Sequence, residues 1–151
     1  MRVALLIHLL GAIIWIGGMF FAYVALRPAA ARVLEPPQRL PLWRETLGRF
    51  FTWVWVSIAA IFATGVHMLG SAYGFTGAPH YVLVMLAIAL VMTAIFGYVY
   101  FVPFKALAQQ VDARNWRAAG SVLNVIRRLV ATNLALGMAT VIVAVIGGVL
   151  A

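Results

Sequence analysis

The sequence predicts an all-α integral membrane protein, a bundle of four transmembrane helices. Two observations carry this reading. Hydrophobic residues make up 66% of the 151 and charged residues only 9%, where a soluble domain carries about 25% charge. The apolar residues also gather into four long runs, separated by short polar segments, instead of spreading along the chain. A chain this short could not hide so much apolar surface from water. Lipid removes the need.

The runs cover residues 3–26, 50–71, 80–104 and 129–150. Each is near the 20 or so residues that a helix needs to cross the hydrocarbon core. They are continuously apolar rather than alternating, and too long for barrel strands. The first run follows Met1-Arg2 and superficially resembles a secretory signal. Its apolar stretch exceeds a signal core and no small-residue cleavage site follows, so a retained first helix is expected. Pro103 lies near the end of the third run, where it ends or bends a helix at little cost.

The polar segments set the expected orientation. Residues 27–49 hold five arginines and two glutamates, and residues 105–128 hold five basic residues and one aspartate. Residues 72–79 carry no charge, and only Arg2 precedes the first run. Ten of the eleven basic side chains therefore fall at one end of the bundle. The positive-inside rule turns that end to the cytoplasm and both termini outward, N-out and C-out, in a bacterial inner membrane. The net charge of +8 thus reads as a topology signal, and nucleic acid is not expected as a partner. The Glu35-Pro36-Pro37 stretch cannot continue a helix. Residues 115–130 place Trp116, Ala119, Leu123, Ile126 and Val130 on one stripe. They predict a surface-lying helix or an extension of the fourth span.

Aromatic residues near the ends of the runs suggest interfacial belts. Phe50, Phe51, Trp53 and Trp55 would form the inner belt, and Tyr73, Phe75 and Tyr81 the outer one. Gly17-Gly18 reads as a helix-packing signal, and Asn133 as interhelical polar glue. Arg27, Arg127 and Arg128 read most simply as topology charges.

Chemistry is sparse. There is no cysteine, which excludes thiolate ligands, iron–sulfur clusters and a thiol nucleophile. No carboxylate lies in any of the four runs, which argues against hard-cation and di-iron carboxylate sites. The chain lacks a phosphate-binding glycine loop and a serine–histidine–acid arrangement. What remains is three histidines, His8, His67 and His80. Once the helices fold back on one another, all three fall at the end opposite the basic segments. Ionisable groups in a membrane normally face the bundle interior. The interior faces expected on this basis are His8-Gly11-Trp15-Gly18-Ala22, Ser57-Ala60-Thr64-His67-Ser71, His80-Val84-Ala87-Val91-Ala94-Tyr98 and Asn133-Gly137-Thr140-Ala144.

Two such imidazoles, His8 and His67, suit axial ligation of a haem iron. With His80 as a third ligand they suit a copper or zinc site. Met68 and Met85 add thioethers suited to Cu(I), although Met68 follows His67 directly and points to a different side of the helix. A helix-packing role for the histidines, with no ligand, stands beside both.

The segment His8-Leu-Leu-Gly-Ala-Ile-Ile-Trp15-Ile-Gly17-Gly18 resembles the copper resistance D family of membrane proteins, and more remotely the HemJ-type protoporphyrinogen oxidases. Thr64-Gly65-Val66-His67 and His80 support the likeness more softly. The first resemblance implies copper uptake or handling, with a copper role for His8. The second implies haem b, with His8 as an axial ligand, but Val82 stands at the approximate place of that family's lysine and no Tyr-His pair follows in the third run. Three functions follow as expectations. The first is a haem b protein moving electrons to or from a quinone or another redox partner. The second is a copper-handling protein using His8, His67 and His80. The third is a cofactor-free assembly subunit, whose small-residue faces also permit a homo-oligomer.

Overall fold

The structure is a computed structural model, and it describes residues 1–74 and 77–150, the side chain of Leu150 excepted. The expected belt residue Phe75 lies outside the described residues. Among the described residues every regular element is helical. Helix α1 (Arg2–Phe20) passes through a π-helical segment (Phe21–Leu26) into the short α2 (Arg27–Val33). Helix α3 (Pro36–Tyr73) returns, and α4 (His80–Phe101), α5 (Pro103–Asp112) and α6 (Trp116–Leu150) complete the chain. Four continuous helical stretches are long and apolar enough to cross a membrane: Arg2–Val33, Pro36–Tyr73, His80–Asp112 and Trp116–Val149.

Each break has a local cause. Leu34 and Glu35 take extended backbone angles just before Pro36 and Pro37, which open α3; the residue before a proline is disfavoured in the α region, and proline itself suits the first helical turn. Val102 departs from helical angles immediately before Pro103 for the same reason. Gly74 ends α3 in the left-handed region, its amide bonded to the Gly70 carbonyl at 3.1 Å, a conformation that glycine adopts without penalty. At the start of α6 the Asn115 side-chain oxygen accepts from the Ala118 amide at 3.2 Å, satisfying one of the free N–H groups of the first turn.

The basic segments are themselves mostly helical. Residues 36–49 form the first third of α3, and 116–128 extend the last span as one unbroken helix. Helical winding there satisfies the backbone where the chain leaves the bilayer.

Helix α1 packs mainly on α3, and α4 mainly on α6, with α5 laid against the base of α6. The core is an aromatic cluster toward the basic half. Phe51 is 2% exposed and stands edge-on to Phe96 (5.3 Å between ring centres) and Phe104 (5.0 Å). Trp55 meets Phe96 at 5.0 Å and Trp15 meets it at 6.3 Å. Leu40, Leu47 and Val54 of α3, Val99 of α4, Leu107 of α5 and Ile126 of α6 fill in around it. This corrects the inner-belt expectation. Phe51 is core and Trp55 is half-buried, while Trp53 is 58% exposed. Successive residues on a helix are turned by about 100°, so four clustered aromatics cannot all face one environment.

A second correction concerns α4. The expected interior face, His80-Val84-Ala87-Val91-Ala94-Tyr98, is exposed along its whole length. The buried side carries Met92, Phe96 and Val99. Bulky residues fill this interface and small ones face outward. On α6 the expected face holds, with Asn133 and Gly137 buried and Thr140 and Ala144 half-buried. Asn133 Nδ2 donates to the Met92 carbonyl at 3.1 Å, which ties α6 to α4.

Of the paired glycines only one makes the close approach. Gly18 lies against the ring of Phe50, whereas Gly17 faces open space.

Candidate functional site

The end of the bundle opposite the basic segments holds all three histidines, at different depths of packing. His8 is half-buried in the α1–α3 seam, and His67 and His80 are exposed. Glycine and threonine shape the seam. An added Cβ at Gly11 would come within 3.2 Å of the Ser57 carbonyl, and one at Gly65 would lie 3.5 Å from Cε1 of His8. The imidazole thus rests over Gly65 with no side chain intervening.

Thr64 fixes the ring. His8 Nδ1 lies 3.1 Å from Thr64 Oγ1, and that hydroxyl is itself 2.6 Å from the Ala60 carbonyl. A hydroxyl has one proton. With the proton donated to the Ala60 carbonyl, Thr64 Oγ1 accepts, so His8 Nδ1–H is the donor. The neutral ring then carries its lone pair on Nε2. The nitrogen a histidine offers to a ligand is set by the hydrogen bond that the other nitrogen makes. The threonine therefore orients the imidazole and leaves the lone pair on Nε2.

The position of His67 follows from helix geometry. His8 packs between Thr64 and Gly65. At about 100° per residue, His67 stands roughly 110° around α3 from that contact, and Met68 only about 10° from it, one turn further along. Their burial agrees: Met68 is half-buried and His67 exposed. Met68 stands on a different side of the helix from His67, as expected from their adjacency, and that places it on the side of α3 that His8 packs against. Ala4, one turn back on α1, is likewise half-buried and marks the same seam.

A haem held axially by His8 and His67 needs two imidazoles facing a shared gap. In this structure His8 is half-buried in the α1–α3 seam and His67 is exposed, roughly 110° around α3 from the His8 contact. Among the described residues, no three of His, Cys, Asp and Glu gather closely enough to hold a metal ion. His80, at the first position of α4, stays at the rim. The arrangement offers one oriented imidazole in the seam, a thioether one turn further along the same side, and two exposed imidazoles beyond.

The pairing of Thr64 with His8 crosses 56 residues of sequence. Both residues stand on the faces expected from sequence, but no local signal couples them.

Fold and composition together define a multi-pass integral membrane protein built as a four-helix bundle, consistent with a bacterial inner-membrane location. Residues 44–146 match the copper resistance protein D family, and the chain belongs to that family. The matched stretch contains Thr64, His67, Met68 and His80, while His8 lies before it. No curated protein and no solved structure matches the chain. Nothing in these comparisons supports the HemJ-type resemblance.

Proposed function

We propose that the chain handles copper in the membrane, moving or holding the ion at the end of the bundle away from the basic segments. Membership of the copper resistance protein D family is the observation that carries this reading. The donor set supports it. Imidazole and thioether ligands suit Cu(I), and the absence of buried carboxylates disfavours hard cations.

In this reading copper is cargo. His67 and His80, exposed at the rim, meet the ion first. His8 takes it into the α1–α3 seam through Nε2, and Met68 supplies a soft second donor. Thr64 does not touch the ion; it holds His8 in the competent tautomer. In this reading movement follows the copper gradient or a partner that supplies or removes the ion.

The test is Cu(I) uptake into proteoliposomes, with copper content measured on the same protein. We expect saturable uptake that falls at least about tenfold in His8→Ala, the size of effect typical when a ligand or its support is lost. Uptake equal to wild type in a protein lacking His8, His67 and His80 together would overturn the proposal.

A further inference from the structure

A cavity lies at the opposite end. It measures about 300 Å³ and is bounded by the π segment with α2, the first turns of α3, and the first half of α6. Arg27, Arg39 and Arg127 line it, and no aspartate or glutamate does. The two ion pairs among the described residues, Arg44–Asp112 and Arg49–Glu45, involve none of the three. Arg27 lies over the ring of Tyr23 at 5.1 Å, a contact that orients a guanidinium and leaves its edge free to donate. The remaining wall is mainly apolar, including Leu40, Leu47 and Val130.

Two features of the backbone border the cavity. The π segment bonds the Arg27 amide to the Ala22 carbonyl, a five-residue step that inserts extra rotation before Tyr23 and Arg27 reach the wall. Single π turns of this kind occur most often at functional sites. Gly120 also lines the cavity, and a Cβ there would meet nothing within 4 Å.

We propose that this cavity binds a phosphate group through Arg27, Arg39 and Arg127, the acidic-phospholipid headgroup being the form best matched to it. Three guanidiniums without a carboxylate select a compact anion and match phosphate geometry through paired N–H donors. The cavity lies at the basic end of an apolar bundle, and most of its wall besides the arginines is apolar. Basic pockets between membrane helices are suited to acidic lipid headgroups. The volume is at the lower end of the range for small-ligand sites, enough for a phosphate with its glycerol but not for acyl chains, which would remain in the bilayer.

The experiment uses the full chain in a neutral detergent and measures binding by calorimetry and by the shift in unfolding temperature. The probes are short-chain phosphatidylglycerol, matched phosphatidylcholine, glycerol 3-phosphate and inorganic phosphate. Saturable binding of phosphatidylglycerol is expected, weakened on the order of 100-fold in the triple variant Arg27→Gln, Arg39→Gln, Arg127→Gln. Gly120→Leu keeps every charge and raises helix propensity, so it tests the cavity without weakening the helix; it should abolish binding. A control triple of equal charge loss at exposed positions, Arg32→Gln, Arg117→Gln and Arg128→Gln, should bind like wild type. Binding of phosphatidylglycerol alone assigns the site to lipid. Binding of the soluble phosphates as well, lost in the same variants, assigns it to free phosphate esters and keeps the phosphate site. Equal binding of phosphatidylcholine, or binding that survives both Gly120→Leu and the arginine triple, would overturn the proposal.

Discussion

At the scale of single residues, the molecule turns on two hydrogen bonds between helices that differ in kind. The first, His8 to Thr64, orients an imidazole in the α1–α3 seam. Thr64→Val keeps the side-chain shape and removes the acceptor, so the imidazole loses the bond that holds its Nδ1 protonated. We predict a loss of Cu(I) affinity of about 10-fold or more, the range for removal of a group that supports a metal ligand. Thr64→Ser should restore most of it. Equal affinity in the valine and wild-type proteins, measured by competition with a Cu(I) chelator, would show that Thr64 only packs. The second bond, Asn133 Nδ2 to the Met92 carbonyl, fastens α6 to α4. The same side chain leaves Oδ1 buried without a partner, as does Ser57 Oγ. Interhelical hydrogen bonds in membranes contribute only about 0.6 kcal/mol on average, and leucine removes the unmet acceptor together with the bond. Asn133→Leu should therefore shift stability in detergent unfolding by less than about 1 kcal/mol in either direction. Both faces were legible in the sequence, because a histidine, a threonine and an asparagine are conspicuous in an apolar run. Which partner each finds was not, since that depends on the register between helices.

At the scale of elements, the lesson of α4 is that membrane helices hide their packing face. This helix is apolar on every side, so periodicity carries no information about which side faces lipid. The face expected from sequence followed from His80 at its head, since ionisable groups normally face the interior. The structure packs Met92, Phe96 and Val99 instead, with Phe96 against Phe51 and Trp55 of α3 and the Met92 carbonyl bonded to Asn133 of α6. The same argument sizes the effect of removing the central ring. In water, Phe51→Ala would lose both the transfer and the cavity contributions. In lipid the transfer contribution largely vanishes, because the unpacked side chain meets hydrocarbon as apolar as the core. A residual cavity on the order of 100 Å³ at about 24 cal/mol per Å³ leaves a loss of about 2 kcal/mol. Phe51→Leu should cost less than the alanine variant, and the ordering is checked by unfolding in mixed detergent. Arg44–Asp112 joins α3 to α5 where both side chains are substantially exposed. Such a pair contributes at most about 1 kcal/mol.

At the scale of the whole molecule, the charge asymmetry legible in the sequence becomes a division between two ends. Arg27 of α2, Arg39 near the start of α3 and Arg127 of α6 line one cavity, while His8, His67 and His80 occupy the other end. The sequence could assign residues to ends because each reversal of the chain is marked by proline, glycine or charge. It could not reveal the cavity: Arg27 and Arg127 are as well suited to a topology signal as to a binding wall, and the π turn beside them leaves no mark in composition. The direction of the bundle in the membrane decides what the histidine end does. Positive-inside reasoning places that end outside, which would let His67 and His80 meet incoming copper. The chain has no cysteine, so single cysteines report topology without background. Ser71→Cys and Gln38→Cys lie at exposed positions of α3 near its two ends. On intact spheroplasts, a membrane-impermeant maleimide should label the first and spare the second until the membrane is opened. The reverse pattern would place both termini and the histidines inside. The same donor set would then face the cell interior, and the copper reading would have to become one of release from the cell rather than uptake.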